Sequence, residues 1–156
     1  MKGLHAFVIG SEMSAGVRNV FVQNNKAHGY LKRGIYFKTN PDRGGYIKDI
    51  YISNLALGKV EDAFYITSNY HGEGSGFNSN VSNILIDKVT CKEATGTGIV
   101  IQGFSESKVK NVLLKNINIA KAYNGLSITN TENVIFDNVV IGKEAGIPTA
   151  VGKKAH

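Results

Sequence analysis

A short segment that recurs five times along the chain constrains the possible folds more than any other feature. Each copy has an asparagine or aspartate as its third residue, then apolar residues two apart, and most copies end on an asparagine. The copies are residues 17–24, 47–54, 81–88, 109–116 and 131–138, and their starts are separated by 22 to 34 residues. Repeats of this length are typical of solenoids and other stacked architectures.

A second type of segment, in residues 5–9, 33–37, 62–66, 97–101 and 124–128, lies between these copies. Apolar residues two apart indicate strands in both types. Strands stacked about 4.8 Å apart build parallel sheets along a superhelix. A propeller or a sandwich is the alternative, but hairpin turns of the Asn-Gly type between neighbouring strands are missing. We predict an all-β fold, a right-handed parallel β-helix of about five coils in a single domain, residues 1–156.

This stacking also predicts which side chains lie above one another. Polar residues at the bends should form two columns, because stacked amides can hydrogen-bond along a ladder. The first column contains Asn19, Asp49, Asn83, Asn111 and Asn133, and the second contains Asn24, Asn54, Asn116 and Asn138. The residues predicted to point into the core are Ile50, Ile52, Ile84, Ile86, Val112, Leu114, Val134 and Phe136.

The varying length of the repeat predicts insertions in loops on one side of the solenoid. These are residues 38–46, 68–80 and 91–97, and such loops often line a binding groove. The segment 142–156 departs from the repeat and contains Pro148, so we interpret it as a C-terminal cap or a frayed tail.

Composition narrows the classes of protein and of site. The chain is 42% hydrophobic and 19% charged, and no apolar run has the length of a transmembrane helix or of a signal peptide. The net charge of +6 comes from basic residues spread along the chain, which is typical of a solvated surface and gives no support to nucleic-acid binding. Cys91 is alone, and His28 and His71 have no partner at a metal-ligand spacing. No metal or cofactor is predicted.

Four segments resemble family 28 (polygalacturonase-type) glycoside hydrolases. In residues 5–13 a histidine precedes an Ile-Gly-Ser turn, and residues 33–40 resemble the segment that holds the family's Arg-Ile-Lys motif. Residues 42–46 are similar to the glycine-rich turn of exo-acting and bacterial members, and residues 66–70 are spaced like the family's substrate-contacting tyrosine. The resemblance covers about residues 3–140 and matches the C-terminal part of such an enzyme.

The resemblance implies hydrolysis of α-linked galacturonate chains with inversion. That reaction needs a carboxylic acid and a water-activating carboxylate roughly 6.5–9.5 Å apart. In the family these aspartates lie on the coils before the histidine segment, and the sequence contains no Asn-Thr-Asp and no Asp-Asp pair. We therefore expect a truncated form that lacks the usual catalytic aspartates.

The resemblance assigns a role to several residues. His5 would assist the catalytic acids, Lys38 would pair with a substrate carboxylate, and Tyr70 would stack on a sugar ring. Arg43 could reach the same anion from its loop. Tyr36, also counted among the substrate-binding residues, stands where the family has an arginine, which removes a bidentate carboxylate clamp. For each of these residues an ordinary surface or packing role is the alternative.

Other carboxylates near the presumed groove are Glu12, Asp42, Asp62 and Glu73. Asp62 shares a column with Arg33, so a ladder ion pair is the interpretation for it. The predicted partner is an acidic, galacturonan-like polysaccharide, with no role for nucleic acid or membrane. The open N-terminal end of the solenoid predicts a homo-oligomer. The family suggests an extracellular or periplasmic enzyme. A non-catalytic glycan-binding module and a structural β-helix are the alternatives.

Overall fold

The computed structural model describes residues 3–12, 14–70, 76–143 and 148–151, the last four as backbone alone. Six strands pair in parallel in chain order within one sheet, and a seventh pairs antiparallel at its end. The strands are β1 (His5–Ile9), β2 (Val17–Lys38), β3 (Tyr46–Thr67), β4 (Asn80–Gln102), β5 (Val109–Thr129), β6 (Thr131–Lys143) and β7 (Pro148–Val151). The prediction of an all-β parallel solenoid is confirmed.

Each long strand wraps around the solenoid because it bends at left-handed residues. Asparagines, with one aspartate and one lysine in equivalent places, have φ between 50° and 57°. Asparagine tolerates this conformation better than most residues, because its short polar side chain can hydrogen-bond locally. Two such residues lie five positions apart in each coil, as Asn19 and Asn24 do in β2. The repeated asparagines are therefore what turns an extended chain into a coil.

The predicted first column is a hydrogen-bonded ladder. Nδ2 of Asn83 donates to Oδ1 of Asp49 at 3.1 Å, and Nδ2 of Asn111 donates to Oδ1 of Asn83 at 3.1 Å. Asn133 continues the ladder with a bond of 2.8 Å to Asn111. Asn83 and Asn111 thus donate to the coil before them and accept from the coil after them, and Asn133 donates to the coil before it.

The second column is interrupted where the repeat has a lysine. Asn54 donates to Asn24 at 2.7 Å, as the column predicts. Lys88 occupies the next left-handed position and has no side-chain acceptor. Nδ2 of Asn116 donates instead to Oδ1 of Asp87, at 2.9 Å. A neighbouring carboxylate therefore supplies the acceptor that the lysine lacks.

The core lies inside the coils, and the predicted inward-facing residues are in it. Their exposed fractions are at most 2%. The set is Ile50, Ile52, Ile84, Ile86, Val112, Leu114, Val134 and Phe136. Because parallel stacking keeps every equivalent residue on the same face, the alternation of one coil predicts the core of the next.

Two of the three predicted loops lie outside the strands. Residues 39–45 connect β2 to β3, and residues 68–79 connect β3 to β4. The prediction of a loop at residues 91–97 is wrong, because these residues lie inside β4. Their extra length is absorbed by a shift of register between Ala94 and Thr97, and a β-bulge accommodates an added residue without ending the strand.

Strand β7 runs along the last part of β6, where Val139–Gly142 pair with it. Most of the segment 142–156 lies outside the described residues, so its interpretation as a cap stays a prediction. No helix that could cross a membrane occurs in the part of the chain that the structure describes.

Candidate functional site

A cleft of about 490 Å³ lies where the ends of β1, β2 and β3 meet on one face. The register places Arg33 between His5 and Asp62, and it pairs Tyr36 with Tyr65. The lining of this first cleft includes His5, Arg33, Tyr36, Lys38, Tyr65 and Tyr70. Four of the five residues predicted for the site therefore lie in one cleft.

The connection between β3 and β4 carries Tyr70 into this cleft. The backbone N–H of Tyr70 donates to the carbonyl of Thr39 at 2.9 Å, directly after the strand that holds Lys38. Farther along, the hydroxyls of Thr39 and Ser79 are 2.6 Å apart. These two bonds tie the connection to the preceding coil, and Nζ of Lys38 lies 4.7 Å from the centroid of the Tyr70 ring.

Tyr36 is the centre of an aromatic cluster in the floor of the cleft. Its ring centroid lies 5.0 Å from that of His5, 5.4 Å from that of Tyr65 and 6.3 Å from that of Tyr70, all in edge-to-face geometry. Such pairs stabilise beyond the area that they bury. Nζ of Lys38 lies 5.1 Å from the Tyr36 centroid, so two tyrosine faces hold this ammonium.

Arg33 is bound by carboxylates of the next coil. Its Nη1 lies 3.1 Å from Oε1 of Glu61, and its Nε lies 3.0 Å from Oδ2 of Asp62. The other oxygen of Asp62 accepts the Thr97 N–H at 2.7 Å. Burial raises the pKa of Asp62 and outweighs the lowering by that amide and by Arg33. The ion pair that the Arg33–Asp62 column predicts is present.

His5 lies among cations and is partly shielded from solvent. Burial lowers its pKa, and Lys38, Arg33 and Lys32 lower it further. Its Nδ1 is buried and has no hydrogen-bond partner in the described part of the chain. Oδ1 of Asn69, which also lines the cleft, is in the same state. The wall of the cleft thus contains two buried polar atoms whose hydrogen-bonding capacity the described residues do not use.

A second cleft of about 710 Å³ adjoins the first, and Lys38 and Tyr70 line both. Its other wall includes Gly10 and Glu12. Gly10 has φ of 95°, and a Cβ atom there would overlap the carbonyl of Lys38. The glycine therefore allows the turn after β1 to approach the strand that carries the lysine.

The sequence model of glycosyl hydrolases family 28 matches residues 2–147. This match covers nearly the whole chain. The chain belongs to family 28.

Curated relatives in the family carry polygalacturonase names. The chain is 32% identical over 146 residues to an exopolygalacturonase of Rhizopus delemar, an alignment that covers 85% of the chain and 37% of the relative. It is also 40% identical over 62 residues to a probable polygalacturonase of Vitis vinifera, which covers 40% of the chain and 12% of that relative. The matched residues span little more than a third of the Rhizopus relative and about an eighth of the Vitis relative.

Among solved structures, the fold is similar to that of a hyperthermoactive exopolygalacturonase from Thermotoga maritima. The TM-score is 0.75 at 24% sequence identity, and the match covers 97% of the chain and 34% of that structure. This similarity confirms the prediction of a right-handed parallel β-helix.

The structure does not bring every predicted site residue to the first or the second cleft. Arg43 lines neither cleft, and its Nη2 lies 3.9 Å from Oε1 of Glu12. Asp42 is exposed in the same turn and also lines neither cleft. His28 is exposed and lies apart from both. His71 and Glu73 lie outside the described residues, and no group of side chains suited to a metal ion occurs within them.

Tyr65, Lys32 and Asn69 also line the first cleft, although the sequence did not predict them as members of the site. A signal for Tyr65 was present, because the aligned copies 33–37 and 62–66 have tyrosine at the same position and therefore predict stacked rings. No comparable signal existed for Asn69, since its place depends on how the connection after β3 folds back.

Proposed function

We propose that the chain is part of a polygalacturonase-type glycoside hydrolase and that its two clefts bind a galacturonan chain. The observation that carries this proposal is the environment of Lys38. Its ammonium lies between the faces of Tyr36 and Tyr70 and forms no ion pair within the described residues. A cation held in place without an internal anion is suited to an anionic ligand, and the polygalacturonase names of the relatives support galacturonate as that ligand.

The neighbouring groups supply the other contacts that a sugar acid needs. The tyrosine faces offer apolar surface to a sugar ring, and the polar side chains of His5 and Asn69 line the same cleft. His5 is held neutral by its surroundings, so it can hydrogen-bond a protonated acid or a hydroxyl without carrying charge itself.

A second candidate function is acidic-glycan binding without turnover. Inverting hydrolysis needs two carboxyl groups on opposite sides of the scissile bond. Within the described lining of the two clefts, Glu12 is the single carboxylate. Turnover would therefore require a partner for Glu12 from elsewhere, whereas binding would not.

Reducing-end release from polygalacturonate, measured beside direct binding, tests both candidates. Removing the Lys38 charge should weaken binding by roughly 10- to 100-fold, since a charge-assisted hydrogen bond contributes about 1.5–3 kcal/mol. The variants are Lys38→Ala and His5→Ala, with Lys115→Ala as a control that removes an exposed lysine from another face.

Release that both site variants reduce supports the hydrolase. Binding without release, still lost in Lys38→Ala, supports the binding module. Equal effects of Lys38→Ala and Lys115→Ala would contradict both, because the cleft would then have no role.

A further inference from the structure

Lysines that are scattered along the sequence are gathered by the fold on one surface. Five parts of the chain, one from each of the strands β2 to β6, stack in register there. They are residues 26–32, 56–61, 90–95, 118–123 and 140–143. We call this surface the basic face, because it carries six lysines and two glutamates. These are Lys26, Lys32, Lys59, Lys92, Lys121, Lys143, Glu61 and Glu93.

Both glutamates of the basic face already have cationic partners. Oε1 of Glu61 lies 3.1 Å from Nη1 of Arg33. The two oxygens of Glu93 lie 3.4 Å from Nζ of Lys59 and 3.9 Å from Nζ of Lys121. The remaining lysines of the face form no ion pair within the described residues. They are Lys26, Lys32, Lys92 and Lys143. The face therefore keeps positive charge that the described part of the chain does not neutralise.

A groove of about 150 Å³ lies in this face. Lys26 and His28 line it from β2, and Lys92 lines it from β4, two coils away and therefore roughly 10 Å along the stack. Ala56 and Gly58 of the coil between have no long side chain that could fill the groove. Its described lining contains no acidic residue and shares no residue with either cleft. Since basic groups around one groove repel each other, an anion that binds between them relieves this repulsion.

Two exposed tyrosines lie beside the lysines of the basic face. Tyr30 is 57% exposed and pairs in register with Lys59, and Tyr123 is 68% exposed. The hydroxyl of Tyr30 lies 3.2 Å from Oγ1 of Thr95, two coils away. Thr95, Tyr123 and Lys121 line one small depression. Aromatic rings next to cations are suited to a polymer that presents both apolar ring faces and anionic groups.

We propose that the basic face is a second binding surface, separate from both clefts, for an acidic polysaccharide. The polymer crosses the coils, with its acid groups at Lys26 and Lys92 and its sugar rings against Tyr30 and Tyr123. Membership of a glycosyl hydrolase family favours a glycan over a nucleic acid as this polymer. Binding at the face keeps the chain on the polymer while the clefts stay open. The proposal does not depend on what the clefts bind.

Two ligands of different length separate the face from the clefts. Polygalacturonate can contact both, whereas trigalacturonate bound in a cleft has no groove lysine to contact, since Lys26 and Lys92 line neither cleft. The double variant Lys26→Gln with Lys92→Gln should weaken polymer binding by about three- to thirtyfold, because exposed charges contribute modestly, and leave trimer binding unchanged. Calorimetric titration measures both ligands, and the effect on the polymer should shrink as salt is raised.

The double variant Lys108→Gln with Lys115→Gln is the matched control. It removes the same charge from two exposed lysines outside the basic face and should weaken polymer binding by no more than about twofold. Equal losses in the two double variants would overturn the proposal, because net charge and not the face would then hold the polymer. A single-stranded oligonucleotide that binds more tightly than polygalacturonate, and depends on Lys26 and Lys92, would overturn the choice of a glycan.

The two ligands also separate this proposal from the proposed function. Trimer binding, together with polymer binding that the Lys26 and Lys92 variant leaves unchanged, would overturn the basic face and support the clefts. Polymer binding that this variant weakens, without any trimer binding, would support the face and contradict the clefts. Binding of neither ligand would overturn both.

Discussion

At the scale of single residues, the site is defined by the neighbours of its charged and titratable side chains. Lys38 is held by aromatic faces, Arg33 forms ion pairs with two carboxylates, and His5 is surrounded by cations. Each of these states depends on neighbours from another coil. Two of them make predictions for the stability of the fold.

The lowered pKa of His5 predicts a loss of stability in mild acid. Between the ordinary value of 6.5 and the lowered value, the unfolded chain binds more protons than the folded chain. The free energy of unfolding therefore falls as the pH drops below 6.5, and this loss ends below the lowered pKa. His5→Gln should show a smaller drop in its thermal midpoint than the native chain between about pH 7.5 and about pH 5.

His28→Gln is the control for this measurement, because it removes an exposed histidine. It should keep the full drop of the native chain. A midpoint that falls equally in the native chain and in His5→Gln would show that His5 does not titrate differently in the two states.

Asp62 predicts a large loss of stability on substitution. Its side chain is buried, binds Arg33 and accepts the Thr97 N–H. Asp62→Ala should lower the free energy of unfolding by about 3 kcal/mol, since it leaves the largely buried guanidinium of Arg33 and the partly buried N–H of Thr97 without this partner. Asp62→Asn keeps an acceptor for Thr97 and should lose less. Chemical denaturation measures the free energy of unfolding of both variants. Equal losses would mean that the hydrogen bond from the Thr97 N–H contributes nothing to stability.

At the scale of the strands, the asparagine ladders do two things at once. Asparagine adopts the left-handed bend at a lower cost than most residues, and its side chain bonds each bend to the next. These contributions can be separated at one position.

Asn111 is the position for that test, because it has φ of 53° and bonds both Asn83 and Asn133. Asn111→Ala should lower the free energy of unfolding by about 1–2 kcal/mol, from left-handed strain together with the lost ladder bonds. Asn111→Gly removes the bonds but not the tolerance of positive φ, so it should cost less. Urea denaturation separates the two, and a glycine variant as unstable as the alanine variant would assign the whole effect to the ladder.

At the scale of the molecule, the edge of β2 that faces β1 is only partly paired among the described residues. Strand β1 pairs with β2 over Arg33 to Phe37, and residues 17–31 have no partner on that side among the described residues. Val20 and Val22 are half-buried there, whereas Ile50 and Ile52, which stack on them, are 2% and 0% exposed. An unpaired edge over an open core favours pairing with another chain.

We therefore propose that copies of these 156 residues, when isolated, pair with one another through this edge. Val22→Lys places a charge at this half-buried edge and should shift the sedimentation profile toward the monomer. Asn118→Lys adds the same charge to a coil that is paired on both sides and should have no effect. A native chain that sediments as a monomer at all concentrations would contradict the prediction.

The sequence by itself determined the solenoid, its bends and its core. Asn19 and Asn24 start a pattern that recurs in each coil, and the alternation around Ile50 and Ile52 recurs with it. Parallel stacking repeats the same environment at each position, so a local pattern is enough to predict a residue's neighbours.

Only the tertiary structure decided how the site is assembled and where the repeat departs from itself. The bond from Tyr70 to Thr39 places a tyrosine beside Lys38, and Asp87 replaces the acceptor that Lys88 lacks. The extra length at residues 91–97 became a bulge in β4 and not a loop. These outcomes depend on contacts between coils at positions where the repeat is broken. Where the repeat is interrupted, the sequence pattern does not predict which residues become neighbours. Packing between the coils decides this.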